Sequence, residues 1–214
     1  MGEDRDIPGE PHLVEVDLAR SLWWATTLMS VAAPSTRDRI LTATGELFRR
    51  QGYAATGLKA VVTEARAPFG SLYHHFPGGK QQLASEVIHA GGAYFQALVC
   101  AVYDEQADTA AAIDAVFAGA ADTLAATDYE DACPITTVAL EVASTDEVLR
   151  RATAEVFESW TGALVERVGD RDRALAVLSA LEGAFVLCRA LRSTEPMLAA
   201  GRMAAAHATR APAA

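Results

Sequence analysis

The chain has 214 residues, of which 51% are apolar and 21% charged. That balance excludes a disordered polymer and supplies a sizeable core for one domain or two small ones. A net charge of −10 excludes a protein that coats nucleic acid over its whole surface, but not one that docks a single face.

Residues 21–33, SLWWATTLMSVAA, are apolar but too short to span a bilayer, and the segment before them is more acidic than basic, unlike a secretory signal. They read either as a short extension packed on the body or as the result of a start that really lies at Met29. From Thr36 the period is helical: Ile40, Ala43, Thr44, Leu47 and Phe48 form one largely apolar face, and Gly52 reads as the stop. A second, short helix follows Thr56, its expected N-cap, with Leu58, Val61, Val62 and Ala65 inward. Pro68 suits the first turn of a third helix, which turns Leu72 and Phe76 inward and breaks at Pro77-Gly78-Gly79. Two short helices across a tight turn, behind a longer one, outline a helix-turn-helix unit.

A fourth helix is expected from about Lys80 to Glu105. Further helices are expected after Asp108, from Cys133-Pro134 to about Val142, from a Ser144-x-x-Glu147 capping box to about Val168, and from Arg171 to Arg192. The Ala-rich tail beyond Pro196 either extends a helix or frays. No segment is strand-dominated, so the fold class is all-α.

Charge is unevenly placed. Thr36 to Lys80 holds seven basic residues against three acidic ones, a net +4, which leaves −14 on the rest of the chain. This suits one face docked on DNA; ordinary surface variation is the bland account. Cys100, Cys133 and Cys188 are few, odd in number and far apart, which fits buried thiols in a reducing cytosol better than a disulfide framework.

The segment GSLYHHFPGGK, residues 70–80, is the informative one. Adjacent His74 and His75 point about 100° apart on a helix and do not share a metal ion easily. Glu86-x-x-His89 is a single copy where a di-iron bundle needs two, and Gly78-Gly79-Lys80 fails the spacing of a nucleotide loop. No nucleophile–base constellation is evident, so no catalytic residue, metal or cofactor is assigned. DNA reading survives: Ser71, Tyr73 and His74 present hydroxyls and an imidazole to a groove, Gly70 permits close approach, and Lys80 meets a phosphate.

In order and spacing, the first helix ending ELFRRQGY, then Thr56, then GSLYHHF followed by a lysine resemble the DNA-binding domain of TetR-family transcriptional regulators. GSLYHHFPGGKQQLA is similar to the LmrA/YxaF-type branch. The resemblance covers under a quarter of the chain. It implies an N-terminal extension (1–35), a helix-turn-helix domain (36–80, the motif itself about 57–76), a C-terminal ligand-binding and dimerisation domain (81–195) and a tail (196–214). It implies a cytoplasmic, ligand-responsive repressor, no enzyme and no membrane protein, acting as a homodimer through residues 146–192 on a near-palindromic double-stranded operator. The implied DNA-contacting residues are Thr36, Arg37, Thr56, Lys59, Phe69, Gly70, Ser71, Tyr73, His74, His75 and Lys80. In the body, Phe95, Tyr103, Phe117, Phe157, Trp160 and Phe185 are ligand candidates, though aromatics at helical spacing are more often core. Glu141 and Glu182 are candidates because a buried carboxylate needs a partner. For Glu182 that is either Arg189, the preferred account, or a ligand cation.

Two positions depart from the family. Arg66 stands where glycine is usual at the interhelical turn, and Phe69 stands where the branch tends to have lysine. Both keep open an alternative, a helical small-molecule-binding protein with weakened or lost DNA binding. A helical di-iron enzyme is the more distant rival.

Overall fold

The computed structural model describes residues 34–209. The apolar stretch at 21–33 and its two readings, with the last five residues of the tail, lie outside that range. Among the described residues there are nine helices and no strand.

Helix α1 (Thr36–Ala55) opens on a capping box that the sequence reading missed: the Ser35 side chain accepts from the Asp38 amide, and the Asp38 carboxylate accepts from Ser35. Ile40, Ala43, Thr44 and Phe48 are buried along its inner face. Gly52 is a kink and not the stop; its φ of 81° is left-handed, and helix resumes to Ala55. Helix α2 (Leu58–Glu64) takes its N-cap from Gly57. The expected cap, Thr56, is instead buried, and its hydroxyl donates to the Gly52 carbonyl at 2.7 Å. Helix α3 (Phe69–His75) follows a turn in which Arg66 has φ 49°. Arg39 secures that turn by donating to the Ala65 and Pro34 carbonyls, each at 3.1 Å, and to Thr36 Oγ1 at 3.2 Å.

Helix α4 (Gly79–Glu105) links this head to the body and packs on α1 and α7 (Glu147–Val168). Gly92 permits the close approach: a Cβ there would lie 2.5 Å from Val156 Cγ1. At the same crossing Trp160 Nε1 donates to the Gly92 carbonyl at 2.8 Å. The remaining helices are α5 (Thr109–Ala126), α6 (Pro134–Val142), α8 (Arg171–Leu191) and α9 (Glu195–Ala208). The cap of α7 is Asp146, which accepts from Val148 and Leu149; the Ser144-x-x-Glu147 box does not form. The Ala-rich tail is a packed helix. Met197, Gly201, Ala204, Ala205 and Ala208 of α9 are buried where it meets α5 and α8. Helices α5 and α8 are long and apolar enough to cross a membrane by composition, yet each packs within the body, α5 on α9 and α4, α8 on α9 and α7.

Head and body are joined by polar side chains. Glu141 of α6 accepts from the Tyr53 amide at 3.0 Å and the Ala54 amide at 2.6 Å, the two donors that the Gly52 kink frees. A Cβ on Gly52 would collide with Glu141 Oε1. Arg49 forms a buried ion pair with Asp131, and Gln81 donates to the Asp146 carboxylate at 3.0 Å.

Candidate nucleic-acid interface

Seven residues make α3, and their spacing divides it cleanly. Leu72 is fully buried, as is Phe76 just beyond the helix, so the same side of the segment is anchored twice. Phe69, Gly70, Tyr73 and His74 are exposed, while Ser71 and His75 are half-buried. Tyr73 keeps 49% of its surface and Phe69 48%. Their rings meet edge-on at 5.8 Å, an i,i+4 aromatic pair on the outside of the head. His74 and His75 also meet edge-on, at 4.9 Å. The face thus offers a phenol, an imidazole and an apolar ring, which can hydrogen-bond base edges and touch a thymine methyl.

The cations around it differ in freedom. Lys59 is exposed at the start of α2. Arg37 is partly exposed but paired with Glu86 of α4 and stacked over Phe76 at 5.5 Å. Lys80 is half-buried over the Tyr53 ring at 4.2 Å. Burial lowers the Lys80 pKa, and Glu141 opposes that shift. Thr36 is half-buried and accepts from Arg39. Thr56 is a correction: with its hydroxyl buried on the Gly52 carbonyl, it is out of reach of a phosphate.

The ligand candidates fall into two groups. Phe95, Tyr103, Phe117 and Trp160 surround an apolar cavity of about 40 Å³, only water-sized. Burial pushes the Tyr103 phenol up to about 12, against the opposing charge of Arg167. Phe157 stands outside that lining and packs edge-on against Trp160 at 5.7 Å. Glu141, Glu182 and Phe185 line an open groove of about 590 Å³ between α6 and α8. Here Glu141 is a second correction, since both its oxygens are spent on α1 amides. A third concerns Glu182: its partner is Thr136, whose hydroxyl donates at 2.7 Å, while Arg189 donates to the Tyr129 and Glu130 carbonyls at 3.3 and 3.2 Å. Of the E-x-x-H pair, Glu86 is held by Arg37 and His89 by Glu155. Sequence reasoning missed Arg39 and the Glu141 latch. A clamp on a carbonyl 26 residues away and a cap 88 residues away leave no local pattern.

An exposed polar helix fixed from below, on a trihelical head joined to a helical body, defines a helix-turn-helix transcriptional regulator. The description "Bacterial regulatory proteins, tetR family" matches residues 40–87, and "Transcriptional regulator LmrA/YxaF-like, C-terminal domain" matches residues 109–203. The HTH-type transcriptional regulator LmrA of Bacillus subtilis is 30% identical over 76% of this chain and 90% of its own length. A second regulator of that organism, YxaF, is 32% identical over 76% and 89%. Among solved structures, the regulatory protein TetR from Rhodobacter sphaeroides superposes with a TM-score of 0.74 at 20% identity, covering 80% of this chain and 98% of that one. The Streptomyces coelicolor TetR-family regulator SCO4454 gives 0.73 at 16% identity, covering 90% and 99%. The chain belongs to the TetR family of DNA-binding transcriptional regulators, and it is not an enzyme.

Proposed function

We propose that the protein is a homodimeric repressor that a small molecule releases from a near-palindromic operator. In this reading residues 36–80 form the DNA-binding domain and 81–195 the regulatory body, which α9 completes. Helix α3 enters the major groove with Phe69, Gly70, Ser71, Tyr73, His74 and His75, while Thr36, Arg37, Lys59 and Lys80 face the phosphates. Two copies place their recognition helices about 34–36 Å apart. Its place of work is then the cytoplasm, beside the DNA.

The dimer is assigned to α8 and α9. The outward side of α8 reads Leu175, Ala176, Ser179, Gly183, Val186, Leu187, Ala190 and Leu191, an apolar strip running the length of the helix, and α9 adds exposed Leu198 and Met203. The sequence expectation included α7, whose outward side carries Arg151, Glu155, Glu158 and Glu166. Four charges per helix would be desolvated there, whereas the α8 strip buries apolar and small residues.

The single observation that carries the reading is Tyr73 at 49% exposure between fully buried Leu72 and Phe76. Tyr73→Ala should weaken retardation of the cognate upstream DNA at least tenfold without shifting the melting temperature. Undiminished retardation in that variant would remove α3 as the reading helix.

A further inference from the structure

The groove between α6 and α8 holds a group that the fold leaves unsatisfied. Glu182 lines it from α8. Its Oε2 accepts the Thr136 hydroxyl at 2.7 Å, and its buried Oε1 meets no nitrogen or oxygen donor among the described residues, with the weakly donating thiol of Cys133 beside the carboxylate. Buried polar atoms in proteins are almost always hydrogen-bonded, so an orphaned carboxylate oxygen on the wall of a ligand-sized groove marks a strained or ligand-ready position. The two charged neighbours in the groove do not reach it. Arg189 is turned to the Tyr129 and Glu130 carbonyls, and Glu141 is committed to the Tyr53 and Ala54 amides. The groove measures about 590 Å³, and Leu140, Phe185 and Val186 supply apolar wall. That is within the roughly 300–1,000 Å³ typical of small-molecule sites.

We propose that this groove binds an organic cation, a protonated amine on an apolar body, whose ammonium donates to Glu182 Oε1 while the body lies against Leu140, Phe185 and Val186. The proposal rests on the ligand-responsive reading above and names the chemical class of its effector. An ionised carboxylate only accepts, so the missing partner is a donor. A charged donor adds Coulomb attraction at this buried oxygen, where a neutral one leaves the charge uncompensated. The chain outside residues 36–80 carries −14, which draws cations and repels anions. Burial raises the Glu182 pKa, against hydrogen bonds from Thr136 and Cys133; an ammonium beside it reverses that shift and holds the carboxylate ionised.

The site also has a route to the head. Thr136, which bonds Glu182, and Glu141, which latches α1, lie on the same short helix α6. A ligand that displaces Thr136 from Glu182 acts on the helix that holds the end of α1. It shifts DNA affinity only as far as it prefers one arrangement of that latch. Val186 and Ala190 belong to both the groove and the outward strip of α8, so the second subunit narrows the groove's open side.

Titration calorimetry on the full chain decides the matter with three probes that share one apolar body: 3,3-diphenylpropylamine, 3,3-diphenylpropanol and 3,3-diphenylpropanoic acid. The amine should bind the native chain at least tenfold more tightly than the alcohol, and the acid more weakly still. Glu182→Gln, checked for native circular dichroism, should cost the amine at least tenfold and leave the alcohol unchanged. Equal affinity for amine and alcohol overturns the proposal, as does undiminished amine binding by the folded variant. The probe series on the native chain decides by itself if the variant does not fold. Retardation of upstream DNA by the same preparation separates the two readings. DNA binding without amine preference sinks this site alone, and amine preference without DNA binding sinks the repressor alone.

Discussion

Arg66 shows how little one unfavourable residue disturbs a turn that its neighbours determine. Its φ of 49° is left-handed, where a residue other than glycine costs about 1 kcal/mol. The turn still forms, because Arg39 holds the Ala65 carbonyl and Ala65 itself is buried. Arg66→Gly should therefore raise unfolding stability by up to ~1 kcal/mol in urea and leave the helix-turn-helix geometry as it is. A loss of stability would mean that the arginine side chain contributes more than its backbone costs. Glu182 is the other telling residue. Its carboxyl binds a proton more tightly in the folded chain than in the unfolded one, chiefly through burial. Its contribution is then greatest below the ordinary value of 4.5 and is lost as pH rises toward the raised folded value. Subtracting the stability curve of Glu182→Gln from that of the native chain should leave a difference that falls with rising pH through that window. A flat difference would show that burial does not bias the proton.

Between elements, the joint of α1 and α6 depends on a glycine and a glutamate 89 positions apart. The kink at Gly52 releases two amides, and Glu141 takes both. Glu141→Ala should cost about 1–3 kcal/mol, chiefly the penalty for leaving the part-buried Tyr53 amide unpaired, since the exposed Ala54 amide turns to water. Hydrogen exchange should quicken at Tyr53 and Ala54 before it does in the core of α4. If exchange at those amides is unchanged, the latch is incidental. Helix α9 makes a related point. Its buried alanines each remove little area from water, but Gly201 seats the helix against Phe117, where a Cβ would come within 2.7 Å of Phe117 Cβ. That contact turns an Ala-rich tail into a wall of the body.

For the whole molecule, the proposed dimer makes the outward strip of α8 the surface that would hold two heads together. Val186 is 53% exposed, Leu187 52% and Leu191 65%, successive positions on one side of α8. Val186→Asp with Leu187→Asp should convert a dimer to monomer by sedimentation, and operator affinity should fall well over tenfold as the second half-site is lost. A variant that remains dimeric would place the interface elsewhere. The charge asymmetry belongs to this scale too: a +4 head on a −14 remainder orients the molecule toward a duplex before any contact forms.

The sequence by itself determined the helices, the buried stripe through Ile40, Phe48, Leu72 and Phe76, and the outward Tyr73 and His74. Each follows from spacing within one or two turns of helix, which is where side-chain direction is set. It also carried the family through the order of ELFRRQGY and GSLYHHF. Only the tertiary structure decided that Thr56 is buried, that Glu141 caps α1, that Arg189 leaves Glu182 alone, and that α9 packs along α5 and α8. Apart from the local bond of Thr56 to Gly52, those depend on which groups meet across tens of residues, and a capping carboxylate reads the same in a helix whether its partner is water, a ligand or an amide 88 positions away.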